Sequence, residues 1–193
     1  MRVAGIMAEI PEMFMETAMR GQIILSHGSD SSPDATKVSA LAALAESLGW
    51  QTQRPDYRDD DALGHVGSVA PRIARLRAAV QAQPTPPILV GSSMGAFVSG
   101  LVSRDLPVAG LFLLATPPEI PGFAEGFDMR RDVPTELIHG WRDDICPLEP
   151  IFRFAGERRV PLLVLDDDHR LSDCIDAIAA QFQLFLDRMA KAS

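Results

Sequence analysis

"ILVGSSMGAF", residues 88–97, runs from an apolar stretch into a turn of small residues. Within it Gly91-Ser92-Ser93-Met94-Gly95 reads G-x-S-x-G, with Ser93 at the centre. A turn sharp enough to lift a side chain above a sheet crowds the positions two before and two after it. Glycine at those positions removes the Cβ atoms that would clash. Only Ser93 is flanked in this way, because Ser92 has Val90 and Met94 at the same offsets. The strand-like run before the turn and the helix-compatible stretch after it are the setting that an exposed serine nucleophile requires. A plain flexible Gly-Ser turn is the alternative, and the rest of the chain decides between them.

Outward from this turn, short apolar runs alternate with longer amphipathic ones. Strands are expected at 22–26, 51–54, 88–90, 110–114, 135–138 and 162–165, each with the length and the β-branched or aromatic content of a buried strand. Helices are expected at 34–48, 68–81, 94–105, 148–156 and 172–190. The first is bounded by serine and proline at its start and Gly49 at its end, the usual punctuation of a helix. Such alternation predicts an α/β fold, a mostly parallel sheet of about six strands with helices on both faces. Sites in these sheets gather at the carboxyl ends of the strands, which directs attention to residues 26–30, 91–95, 115–122, 140–147 and 166–171.

The bulk numbers narrow the classes. The chain has 193 residues, 47% hydrophobic and 23% charged, enough for one domain with a full core. Residues 21–193 are expected to form it and residues 1–20 an N-terminal extension. Five of the eight methionines fall in 1–19; the segment reads either as containing a start at Met7 or Met13 or as an amphipathic helix, and it is assigned no chemistry. A net charge of −8 without a basic run argues against nucleic acid as a partner. No apolar run approaches the ~20 residues of a membrane span. The two cysteines, Cys146 and Cys174, read as free thiols in a reducing, cytoplasmic setting.

A serine hydroxyl needs a base, and the base needs an orienting acid. Of four histidines, His27 and His139 precede glycines at strand ends and read as buried, hydrogen-bonded structural residues, while His65 lies in a polar loop. His169, in "LDDDHRLS", follows the last strand and stands where a loop histidine can reach back over Ser93. "HGWRDDICP", 139–147, supplies Asp143 and Asp144 between them. The run Asp166-Asp167-Asp168 reads as a solvated acidic turn rather than a metal site. Trp141, Phe123 and Leu148 read either as the lining of an acyl pocket or as ordinary core.

These residues carry a resemblance. Serine, aspartate, histidine is the chain order of the α/β-hydrolase superfamily. "HGWRDDICP" resembles that family's H-G-x-x-D-x-x-V-P acid loop, with Cys146 in place of the valine, and "LSHGSD" resembles its H-G oxyanion loop. The resemblance spans residues 21–190. It implies Ser93 as nucleophile, His169 as general base and Asp143 as the partner of the imidazole, with Asp144 the competing acid. It further implies oxyanion donors at the backbone N–H groups of Met94 and Ser29. Only 17 residues, 117–133, are available where larger relatives insert a cap, and the chain starts too close to its first strand for all of the family's leading hairpin. The implied protein is a lidless serine hydrolase of esters or thioesters with short acyl groups, acting on small molecules without metal or cofactor. A peptidase using the same triad and a non-catalytic ligand receptor are the alternatives.

Overall fold

Strands and helices alternate along residues 20–192, the part of the chain that the computed structural model describes. They are β1 (Gln22–Ser26), α1 (Thr36–Ser47), β2 (Gln51–Gln53), α2 (Arg58–Asp61), α3 (Val69–Gln81) and β3 (Ile88–Ser92), followed by α4 (Met94–Asp105), β4 (Gly110–Leu114), β5 (Thr135–Gly140), α5 (Leu148–Arg158), β6 (Leu162–Leu165) and α6 (Ile175–Ala192). The expectations about Met7, Met13 and a helical extension lie outside the described residues. The six strands form one sheet in the order β2-β1-β3-β4-β5-β6, every neighbouring pair parallel. No antiparallel hairpin strand belongs to the sheet among the described residues, and no described helix is long and apolar enough to cross a membrane.

Alternation along the strands explains the two layers. Ile24, Leu89, Leu111, Leu113 and Leu137 point to the face covered by α3, α4 and α5. Their neighbours Ile23, Leu25, Val90, Phe112 and Ile138 point to the other face, under α1 and α6. Successive side chains of a strand take opposite faces, so a strand buried on both must be apolar throughout. Helix α1 meets this surface with Val38, Leu41, Ala42 and Ala45, one stripe at helical spacing. Helix α4 is buried from Met94 to Ser103, enclosed by the sheet, α3 and the segment 117–133.

That segment contains no helix. It carries one isolated antiparallel bridge, Glu119 to Gly126, and folds Phe123 and Phe127 onto Phe97 of α4 at ring distances of 6.1 and 6.3 Å. Among the described residues the fold therefore carries no cap.

Differences from the sequence reading are local. Strands β3 and β5 run two residues further than expected, through Ser92 and Gly140, so His139 lies inside a strand. Helix α2 was not anticipated in the charged stretch "RDDD". Helix α6 starts at Ile175 rather than 172, because Asp167 accepts a hydrogen bond from the Cys174 N–H at 2.9 Å and holds the preceding turn.

The chain passes from β1 to β2 at one side of the sheet and then returns to β3 at the other side of β1. Helices α1 and α4 thus leave adjacent strands toward opposite faces, and the loops after β1 and β3 part to leave a crevice. Open α/β sheets bind ligands at this switch point.

Candidate active site

Ser93 sits on the crest between β3 and α4 with φ 54° and ψ −121°, a conformation that costs an L-residue about 1–3 kcal/mol. Its N–H donates to the Leu114 carbonyl at 2.9 Å, and its own carbonyl accepts from Ala96 at 2.8 Å. The two flanking glycines are steric necessities. A Cβ on Gly91 would lie 2.6 Å from the Ala96 nitrogen, and one on Gly95 would lie 2.1 Å from the Ser26 carbonyl oxygen. The strained turn exists because the surrounding backbone leaves no other path.

Three side chains from three loops line up at this crest. His169 Nε2 lies 2.9 Å from Ser93 Oγ, and His169 Nδ1 lies 2.8 Å from Asp143 Oδ2 and 3.0 Å from Oδ1. The Asp143 side chain is fully buried. Its Oδ1 also accepts from the backbone N–H of Cys146 at 2.7 Å and of Ile145 at 3.1 Å. Burial pushes the Asp143 carboxyl upward. The hydrogen bonds from His169 and Cys146, with the charges of His169 and His139, outweigh it and hold the group below its ordinary value. Asp143 is therefore an anion at neutral pH, facing the imidazole. Asp144, its competitor in sequence, is exposed.

Below this array lie the two buried histidines. His139 Nε2 donates to the Cys146 carbonyl at 2.7 Å and lies 3.3 Å from Asp143 Oδ2. Burial, with the His169 charge, lowers its pKa against the pull of that carbonyl and of Asp143. His27 is likewise lowered, first by burial; its Nδ1 donates to the Gly28 carbonyl at 2.8 Å, and its Nε2 accepts from the Tyr57 N–H at 3.1 Å.

The loop after β1 is braced by a residue the sequence reading passed over. Arg72 of α3 is fully buried and donates to the carbonyls of His27 at 2.8 Å and Gly28 at 3.0 Å. It also forms a bidentate pair with Asp61 at 2.7 and 2.6 Å. In a trans peptide the C=O and the following N–H point in opposite directions. With its carbonyl turned to Arg72, the Gly28–Ser29 peptide aims the Ser29 N–H away from that arginine. Gly28 itself packs close to Ser93: a Cβ there would lie 3.4 Å from Ser93 Cβ. The Met94 N–H, first in α4, is one of the donors that a helix start leaves without an intrahelical partner.

A cleft of about 660 Å³ opens over Ser93 and His169. Its walls come from the loop after β1, the first turn of α1 and the loop after β6, and they carry polar side chains, Ser29, Ser31, Thr36, Lys37, His65 and Arg170 among them, beside Ala35, Val38 and Ile145. The aromatic acyl pocket is not found. Trp141 is 68% exposed, while Phe123 and Leu148 pack partly buried against the core on the α4 side. The acidic turn also differs from expectation. Asp166 and Asp168 are solvated, but Asp167 is buried and accepts from the N–H groups of Asp168 and Cys174.

Among the described residues, Asp143, Cys146 and His169 hold potential metal-ligand atoms within 4.8 Å of one another. The carboxylate and imidazole already bond each other. Burial, with the Asp143 charge beside it, pushes the Cys146 thiol up to about 12, so it stays protonated and is a poor ligand. Both cysteines are free.

With this geometry described, comparison with known proteins is informative. Residues 23–191 match the model of the alpha/beta hydrolase family. A Xanthomonas campestris pv. campestris protein described as a hydrolase of the alpha/beta superfamily is 38% identical; the match covers 88% of this chain and 99% of that one, with a TM-score of 0.84. A serine hydrolase without lid from Xanthomonas campestris shares the fold at 20% identity and a TM-score of 0.71, over 88% of this chain and 82% of that one. Est1E from Butyrivibrio proteoclasticus does so at 15% identity and 0.70, over 89% and 88%. No curated protein matches the chain in sequence.

Proposed function

Because the chain belongs to the alpha/beta hydrolase family, we propose that this hydrolase is a serine enzyme cleaving carboxylic esters or thioesters with short acyl groups. The observation that carries the reading is the continuous line from Ser93 Oγ through His169 to the buried Asp143 carboxylate, at 2.9 and 2.8 Å. His169 takes the hydroxyl proton as Ser93 attacks the acyl carbon, and Asp143 holds the ring with Nδ1–H turned inward and stabilises the imidazolium that forms. The oxyanion of the tetrahedral intermediate is received by the N–H groups of Met94 and Ser29, each such donor being worth roughly 3 kcal/mol in the transition state. His169 then returns the proton to the departing alcohol or thiol. Water, deprotonated by the same imidazole, releases the acid from Ser93 by the reverse geometry.

A fluorophosphonate probe tests this directly, because it phosphonylates only an activated serine. Wild type and Ser92→Ala should label, and Ser93→Ala should not, with kcat on p-nitrophenyl acetate reduced by about 10⁴ or more and circular dichroism unchanged. Equal loss in both variants would move the nucleophile to another residue. A wild type that takes no label would make the protein a receptor on a hydrolase scaffold.

A further inference from the structure

The sequence contains only two lysines, and one of them, Lys37, lies on the wall of the cleft above Ser93. It stands in the first turn of α1. Three carboxylates act on its ammonium through space, Asp143, Asp167 and Asp168. Each is already engaged: Asp143 by His169 and Cys146, Asp167 by the N–H groups of Asp168 and Cys174, and Asp168 by the N–H of Arg170. No ion pair or hydrogen bond is formed by the Lys37 ammonium among the described residues. Burial draws its pKa down to about 8 against the pull of those acids. A structural lysine of this kind is costly, since a desolvated charge without a direct partner opposes folding.

Arg170, next to His169 on the loop after β6, lines the same cleft, and its guanidinium also forms no ion pair among the described residues. The other titratable groups on the cleft are His65, His169 and the exposed Asp30. Lys37 and Arg170 thus present two cations without direct partners to the cleft, where Asp30 is the carboxylate among the lining residues; Asp143, Asp167 and Asp168 act on Lys37 through space but do not line the cleft. We propose that the cleft selects esters carrying a second, anionic group, a carboxylate on the acyl or the alcohol part, which Lys37 and Arg170 receive while the ester carbonyl lies at Ser93. This rests on the serine-hydrolase reading and specifies its substrate class.

Two pairs of substrates test it: 4-acetoxybenzoate against its methyl ester, with the charge on the leaving group, and mono-p-nitrophenyl adipate against its methyl ester, with the charge on the acyl group. The readout is the ratio of kcat/KM for the anionic member to that for the neutral member, which cancels general effects on turnover. In at least one pair, Lys37→Met should lower the ratio about tenfold, through KM of the anionic ester, a magnitude modest for a close charge pair. Lys37→Arg should retain most of it. In wild type the ratio should fall as pH rises through about 8 and Lys37 loses its proton, which decides the matter even where a variant fails to fold. A ratio in both pairs that is indifferent to Lys37→Met, or to pH between 7 and about 9.5 in wild type, overturns the proposal. Failure of the underlying reading looks different: wild type then turns over neither member of a pair and takes no fluorophosphonate.

Discussion

Replacing Arg72 by methionine should separate what holds the loop after β1 from what makes it useful. Methionine keeps an unbranched apolar stem but removes the contacts to Asp61, at 2.6 and 2.7 Å, and to the carbonyls of His27 and Gly28, at 2.8 and 3.0 Å. Two costs follow. The Asp61 side chain, only 10% exposed, is left as an unpaired carboxylate, and breaking a buried pair in this way costs about 3–5 kcal/mol. That is a large fraction of the roughly 5–15 kcal/mol available to a domain. Separately, the Gly28 carbonyl loses one of its two donors and keeps only the His27 Nδ1–H at 2.8 Å, so the rotation of the Gly28–Ser29 peptide, and with it the direction of the Ser29 N–H, is held less firmly. Complete loss of an oxyanion donor costs roughly 3 kcal/mol in the transition state, about a hundredfold in kcat with KM little changed, and this is the upper bound for the variant. The two costs come apart in Arg72→Met/Asp61→Leu, which removes the stranded charge. Its melting temperature should recover most of what the single variant loses, while kcat on p-nitrophenyl acetate should stay low. Recovery of both stability and kcat in the double variant would refute the reasoning and leave Arg72 as a fold element only.

Two more outcomes are expected. Asp143→Asn should lower kcat by about 10⁴, because an amide at that place favours the wrong imidazole tautomer, whereas exposed Asp144→Asn should cost less than about tenfold; steady-state kinetics on one neutral ester ranks them, and the reverse order would transfer the acid role. Acyl chain length should matter only from C2 to about C6, since each buried methylene contributes ~0.8 kcal/mol and one left in water almost nothing. A p-nitrophenyl ester series whose kcat/KM climbs steeply to C12 would reveal a hydrophobic channel that the described residues do not provide.

The parts of the fold legible in the sequence are those where one physical requirement dominates. A strand buried on both faces must read as an unbroken apolar run, which makes Ile23–Leu25 and Leu111–Leu114 visible. Gly91 and Gly95 were readable because the backbone approaches each to within contact, so that no other residue fits. Ser93 followed from its flanking glycines, His169 from its place after the last strand and Asp143 from the resemblance of its loop, and the structure brings all three together. Arg72 was obscured by its position. It shares the buried stripe of α3 with Val69, Leu76 and Val80, where period alone predicts an apolar residue, so the anomaly of a charge there was the available signal. Lys37 and Asp167 gave no signal at all. What matters about each is which neighbours it lacks or finds in loops distant along the chain, and a single sequence records neither.

The two His-Gly pairs show how the array is braced within the described residues. At 139–140 the histidine supports the Asp143 carboxylate and the Cys146 carbonyl from below, while the glycine makes room for the histidine loop: a Cβ on Gly140 would lie 2.6 and 2.5 Å from the carbonyl oxygens of Asp167 and Asp168. Past the end of the strands, Trp141 and Arg142 donate to the carbonyls of Leu165 and Asp167 at 2.7 and 2.9 Å. The acid and base loops are thereby joined along their backbones. At 27–28 the pattern repeats, with His27 bonded to the Gly28 carbonyl and Tyr57, and the glycine close against Ser93. Burial keeps both histidines below their ordinary pKa, so at neutral pH they act as uncharged struts. A site assembled in this way needs no closure to align its groups. Its dipoles are fixed before the substrate arrives, which is the condition under which hydrogen-bond donors lower a barrier most.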